Sequence, residues 1–239
     1  MRIWPVAGTL GVGAQFAITG ADAKHIHDVL RYRPGDRLKV CDDDCKSFWA
    51  EITAITRGEV SLIAREELPE EKKRLPEVVL AMSLNKAAVL EIAVQKAVEL
   101  GCTWFLPVVT RYSMGVDISP AKLERLRKIA HEAGKQCGRS SLMPVAEPVQ
   151  LDEMPEADLR IVLWEEEKSR PLKEALAAAK NPKSVLVLIG PQSGFAEDEV
   201  AFLKELGFIS AGLGPLILRA ETAAIAAAAV VAYHFGKLD

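Results

Sequence analysis

Hydrophobic residues change their spacing once along this chain. Near the start, Arg37–Cys41 (RLKVC), Ser47–Thr56 (SFWAEITAIT) and Glu59–Glu66 (EVSLIARE) alternate apolar and polar positions and are rich in Val, Ile and Thr. Alternation puts one face of an extended chain on a core and the other in water, so all three are expected strands. Pro34-Gly35-Asp36, Asp42–Asp44 and Arg57-Gly58 separate them as turns. Asp22–Arg31 is expected as a short helix with Asp22 at its N-cap. Short strands at this spacing predict a small β-barrel.

A charged stretch without an apolar face, Glu67–Glu77 (ELPEEKKRLPE), has a proline near each end and the composition of a linker. It divides the chain into expected domains at 1–68 and 77–239. Beyond it the period alternates between strand and helix. Val78–Leu84, Thr103–Val109, Asp158–Trp164, Ser184–Gly190 and Phe208–Leu213 read as strands. Two of them, DLRIVLW and SVLVLIG, are continuous apolar runs, the mark of strands covered on both faces. Helices are expected at Ala87–Leu100 (stopped by Gly101), Ser119–Cys137, Pro171–Lys180, Ala196–Leu206 and Arg219–Phe235. This order predicts an α/β fold with a mostly parallel sheet, whose ligands bind at the carboxyl ends of the strands.

Composition agrees with a folded chain: of 239 residues, 49% are hydrophobic and 26% charged. The longest apolar run, Ala223–Tyr233, is far shorter than the roughly 20 residues that span a bilayer. The N-terminus has no sustained apolar core, so no export signal is expected and the expected location is cytoplasmic. Four scattered cysteines, Cys41, Cys45, Cys102 and Cys137, make neither a disulfide scaffold nor a paired zinc motif, and no metal is expected. No Walker loop, H-E-x-x-H or serine elbow is present.

The net charge of −3 conceals local basic patches. Residues 1–40 carry six Lys/Arg against three Asp, and residues 119–139 six against two Glu. Local patches, rather than the total, attract phosphate backbones. Two loops at expected strand ends stand out as ligand loops. Ile189–Phe195 (IGPQSGF) brings glycines close to a ligand but is not a dinucleotide fingerprint. Leu213–Ala223 (LGPLILRAETA) ends on Arg219 and Glu221 at a helix start, where Arg is unfavourable without a specific partner.

Five stretches together resemble the ribosomal RNA small-subunit methyltransferase E family of the SPOUT superfamily. They are HIHDVLRYRPGD (25–36), EIAVQKAVELG (91–101) with Leu106-Pro107 and Thr110–Ser113, QCGRSSLMP (136–144), LIGPQSGFAEDE (188–199) and LGPLILRAETA (213–223). The resemblance implies an S-adenosylmethionine (SAM)-dependent enzyme that methylates N3 of a uridine in 16S ribosomal RNA. It implies a PUA-like barrel, a SPOUT domain with a C-terminal trefoil knot, a homodimer, and 16S rRNA or the 30S subunit as partner. The chain departs from the pattern at Gln192 and Ser193 (usually Glu and Gly), Ala88, Val89, Lys135 and Leu216. These departures leave two alternatives: an rRNA- or SAM-binding relative with weakened catalysis, and a knotted methyltransferase of tRNA.

The resemblance implies a cofactor site at Leu163, Trp164, Gly190, Pro191, Gln192, Gly194, Leu213, Gly214, Leu216, Leu218, Glu221 and Thr222. No histidine lies near the loops, so electrostatic stabilisation of the uracil by Arg139, with Arg219 second, is the expected catalytic device. Expected RNA contacts are Arg2, Arg31, Arg33, Lys86, Arg111, Arg125 and Lys128.

Overall fold

The computed structural model describes residues 3–43, 46–56, 58–68, 75–113, 118–139 and 141–238. The chain forms two compact units, residues 1–72 with 134–142, and residues 73–133 with 143–239. Residues 134–142 therefore group with the first unit, although the charge and period of the sequence placed them in the second. The expected linker is shorter than 67–77, because strands reach Glu67 on one side and start at Glu77 on the other.

In the first unit, β1 (Ile3–Pro5), β2 (Gln15–Thr19), β3 (Arg37–Cys41), β4 (Ser47–Ile55) and β5 (Glu59–Glu67) make one sheet in the order β1-β3-β4-β5-β2. The pairs are antiparallel except β1 with β3. The alternation that marked β3 to β5 sends Leu38, Val40, Phe48, Ala50, Ile52, Val60, Leu62 and Ala64 into a single core with Trp4 and Ile26. Irregular register at Trp49/Ala50 and Ile52/Ala54 bends β4, as extra residues in one strand do. Strand β1, too short to show a period, and strand β2 are not among the expected strands.

The helix expected at 22–31 begins earlier, as α1 (Gly20–Lys24), and widens into one π turn over His25–Val29. Thr19, not Asp22, is the N-cap residue. Asp22 instead accepts both hydrogen bonds of the Lys135 ammonium, at 2.9 and 3.1 Å, with Lys135 only 5% exposed. A buried ammonium is costly unless paired, so this contact ties 134–142 into the first unit.

The second unit contains β6 (Glu77–Ser83), α2 (Ala87–Glu99), β7 (Trp104–Val109), α3 (Pro120–Cys137, its last turn in the first unit), β8 (Val149–Gln150), β9 (Leu159–Leu163), α4 (Leu172–Ala177), β10 (Ser184–Ile189), α5 (Glu197–Glu205), β11 (Ile209–Ala211) and α6 (Ala220–His234). All six strands run parallel in the order β11-β9-β10-β6-β7-β8. Alternate residues of β10 serve two cores. Val185, Val187 and Ile189 pack with α2, α4 and α6, while Leu186 and Leu188 pack with Phe195, Val200 and Leu203 on the α5 side. That double coverage is why the strand reads as an unbroken apolar run. Alanines 224, 227 and 228 of α6 are buried and let its neighbours approach closely. No helix among the described residues is long and apolar enough to cross a membrane.

Candidate functional site

The chain jumps from one side of the parallel sheet to the other between β8 and β9, so β10 comes to lie between β6 and β9. Such reversals splay the following loops apart and open a crevice at the carboxyl ends. Here the loops after β9, β10 and β11 enclose a cleft of about 320 Å³. That volume lies within the ~300–1,000 Å³ range usual for small-molecule sites.

Each wall is shaped by backbone contacts. Trp164 N–H donates to Ala211 C=O at 3.0 Å, Gly212 N–H to Arg170 C=O at 2.9 Å, and Leu172 N–H to Gly212 C=O at 3.0 Å. The loop after β9 is thereby held around the end of β11. Gly212 allows that closeness, since a Cβ there would lie 2.4 Å from the Glu167 carbonyl oxygen. Glu167 locks the same loop. Its carboxylate accepts from Ser169 and Arg170 N–H groups, from the Ser169 hydroxyl, and from the Ser210 hydroxyl at 2.6 Å. These bonds, the Ser169 hydroxyl first, hold its carboxyl down at about 2.

The β10 loop turns at Pro191–Gly194, where Gly194 N–H donates to Pro191 C=O at 3.0 Å. Gly194 has φ +74, which side chains rarely adopt, and a Cβ on it would lie 1.7 Å from Oε1 of Glu165. The Glu165 carboxylate thus fills the hollow left by the missing side chain. Trp164 is steadied from outside by the Lys204 ammonium, 5.5 Å from its ring centroid.

Ten of the twelve expected cofactor residues line this cleft: Leu163, Trp164, Gly190, Pro191, Gln192, Gly194, Leu213, Gly214, Leu216 and Leu218. Glu221 and Thr222 do not; they lie in the first turn of α6, of which Ala220 and Ala223 line the cleft. Arg219 lines the cleft as the N-cap residue of α6. Arg139 belongs to the first unit, half-buried just after α3, with its Nε 3.5 Å from the Ser141 hydroxyl. Ile189, Ile217, Ala220 and Ala223, within the two expected ligand loops, also line the cleft, as do Glu165, Lys168 and Gly212, which lie outside those loops. Glu165 and Lys168 lie in the loop after DLRIVLW, one of the three loops that the family resemblance implies around the cofactor, although of that region only Leu163 and Trp164 are named as expected contacts.

Of the expected RNA contacts, Arg2 lies outside the described residues. Arg31, Arg33, Lys86 and Lys128 are exposed. Arg31 is held at φ +57, a conformation that costs a side chain about 1–2 kcal/mol. Arg125 is exposed but forked onto Glu91 at 2.6 and 2.9 Å, and Arg111 is paired with Asp198 at the start of α5. Arg111 is thus engaged in an ion pair, with its N–H on buried Glu199.

The cleft suits a flat heterocycle with a polar tail: backbone groups of glycine loops, leucine and isoleucine side chains, one indole, and charges of both signs. A family model described as the RNA methyltransferase domain matches residues 71–232, and one described as the RNA methyltransferase PUA domain matches residues 18–64. A ribosomal RNA small subunit methyltransferase E of Bacillus subtilis is 33% identical over 230 residues, covering 92% of this chain and 90% of the relative. The chain belongs to the ribosomal RNA small subunit methyltransferase E family. A family member from Synechocystis is 30% identical over 92% of this chain and 73% of its own length. The crystal structure of a family member from Neisseria gonorrhoeae, bound to S-adenosyl methionine, superposes with a TM-score of 0.83 at 26% identity, covering 98% of each chain.

Proposed function

We propose that this chain is a SAM-dependent ribosomal RNA methyltransferase acting on N3 of a uridine in 16S rRNA. The observation that carries the reading is the glycine-walled cleft at the carboxyl ends of β9, β10 and β11, in a chain of this family. The residues present fit SAM: Gly190, Gly194 and Gly212 keep the walls free of Cβ atoms, and Leu163, Leu213, Leu216 and Leu218 give apolar surface for an adenine ring. When bound, SAM supplies an electrophilic methyl group.

The chain's own task is to hold the base and stabilise charge. Uracil N3 reacts as it loses its proton, so negative charge builds on O2 and O4. A guanidinium keeps its charge at any working pH and offers a planar fork of donors. Arg139 is assigned that role, with Arg219 at the cleft as the second candidate. Glu91 holds Arg125 against α2, while exposed Lys86, Lys128, Arg31 and Arg33 offer charge to phosphates.

Two finer features belong to the same reading. The loop of 164–172, hydrogen-bonded around Gly212, supports a trefoil knot at the C-terminal end. The alanine-rich α6, with Val230 39% and Tyr233 75% exposed, supports a homodimer built on that helix.

Labelled SAM offered with 30S particles, free 16S rRNA and tRNA tests the reading, with the methylated position read by mass spectrometry of nucleosides. Label in 3-methyluridine of 16S rRNA is the expected result. Label in tRNA alone would replace the substrate, and SAM binding without any transfer would make the chain a binding relative.

A further inference from the structure

Eighteen residues line the cleft, and Glu165 carries the only carboxylate among them; Lys168 and Arg219 carry the opposite charge. The neighbouring Gln192 is neutral. Oε1 of Glu165 lies against Gly194, inside the cleft wall, where a Cβ on that glycine would approach to 1.7 Å. Among the described residues, no N–H or hydroxyl donates to this carboxylate; the contact from Lys168 goes to the Glu165 backbone oxygen. Glu165 is exposed, so its carboxylate faces solvent and is open to a cation that enters the cleft.

We propose that Glu165 is a specificity-determining residue that senses the charge of the bound cofactor, favouring the sulfonium form over its neutral thioether product. The inference rests on SAM being the cofactor. SAM and S-adenosylhomocysteine share their adenosine, their α-ammonium and their α-carboxylate. They differ by one methyl group and by one positive charge on sulfur. Leucine, isoleucine and glycine walls cannot read that charge; a carboxylate can. Losing the charge during transfer removes the attraction, so product leaves more readily than substrate. Lys168 and Arg219 oppose the effect in the same cleft, and Glu165 is the one anionic side chain in the lining that favours the cation.

The test is calorimetric titration of SAM and of S-adenosylhomocysteine into the wild-type chain, Glu165→Gln and Lys168→Met. Glutamine has nearly the shape of glutamate and the side chain sits in an exposed loop, so the fold is retained. Wild type should bind SAM more tightly than the product. Glu165→Gln should weaken SAM about fivefold, near the upper limit for a partly solvated charge pair, and change product affinity less than about twofold. Lys168→Met should widen the preference for SAM. If Glu165→Gln weakens both ligands equally, or neither, the charge-sensing role is overturned while SAM binding stands. If wild type binds neither ligand, the proposed cofactor itself fails, and this inference with it.

Discussion

The Glu167 carboxylate and the Ser210 hydroxyl lie 2.6 Å apart, joining the loop after β9 to strand β11. The Ser169 hydroxyl, the Ser210 hydroxyl and two backbone N–H groups hold the Glu167 carboxyl at about 2, against an ordinary 4.5. A carboxyl depressed on folding stabilises the fold above its ordinary value, and that contribution is lost as pH falls towards the depressed one. The melting temperature and SAM affinity of the wild type should therefore fall between about pH 4.5 and pH 2 more steeply than those of Glu167→Gln, which has nothing left to titrate there. At neutral pH the variant should be less stable by about 1–3 kcal/mol, the cost of losing a charged acceptor. Denaturant unfolding at pH 7 and pH 4 checks both statements.

Gly194→Ala should abolish most SAM binding. The new Cβ would meet Glu165 at 1.7 Å and must hold φ +74. The Glu165 carboxylate is the far end of a flexible, exposed side chain and can swing aside, so the strained backbone is the larger effect; both act before any ligand arrives. Adding Glu165→Ala removes the collision but not the backbone strain, and should restore part of the affinity. Calorimetry of the single and double variants checks this; equal affinities would place the damage wholly in the backbone.

Arg139 and Arg219 separate kinetically. If Arg139 stabilises charge on the uracil, Arg139→Ala should lower the single-turnover rate at saturating RNA and SAM by ~10²–10³, as loss of an oxyanion-hole donor does. If it only anchors phosphate, the variant should need more RNA and reach the normal rate. Arg219→Ala, at the cleft, should in addition alter SAM affinity. Both are read from one single-turnover series.

RNA binding should weaken with salt, each neutralised phosphate of single-stranded RNA contributing a slope of about −0.7 in log K against log salt. Lys128→Glu should flatten that slope by about this amount or more. Arg125→Glu should act differently, because Arg125 is already forked onto Glu91 and the new carboxylate would face that one. It should therefore also lower the melting temperature. Filter binding across a salt series, beside thermal melts, distinguishes the two.

Much of this arrangement is visible in the sequence where periodicity is decisive. Strands β9 and β10 stand out because strands covered on both faces are apolar throughout, and the loops after β10 and β11 because glycine punctuates their turns. Strands β1 and β8, three and two residues long, are too short for a period, and β2 is no longer than β3; all three form through pairing with distant strands. Asp22 looked like an N-cap because local chemistry allows it there; its actual partner, Lys135, is distant in sequence. Glu165 was missed for a related reason. Its place in the cleft wall depends on Gly194 lacking a side chain, and no local pattern joins those positions.

The register of the parallel sheet has a consequence for how the molecule is made. Val78 pairs with Val185, and Ile161 with Ile209, so no wall of the cleft is in place until the last third of the chain is available. Pairings this distant in sequence close late in folding, because chain entropy is lost before contacts repay it. The described strands of the first unit, by contrast, all lie within residues 3–67. During synthesis that sheet can assemble while the methyl-transfer cleft does not yet exist, so cofactor affinity reports on completion of the second unit and not on N-terminal fragments.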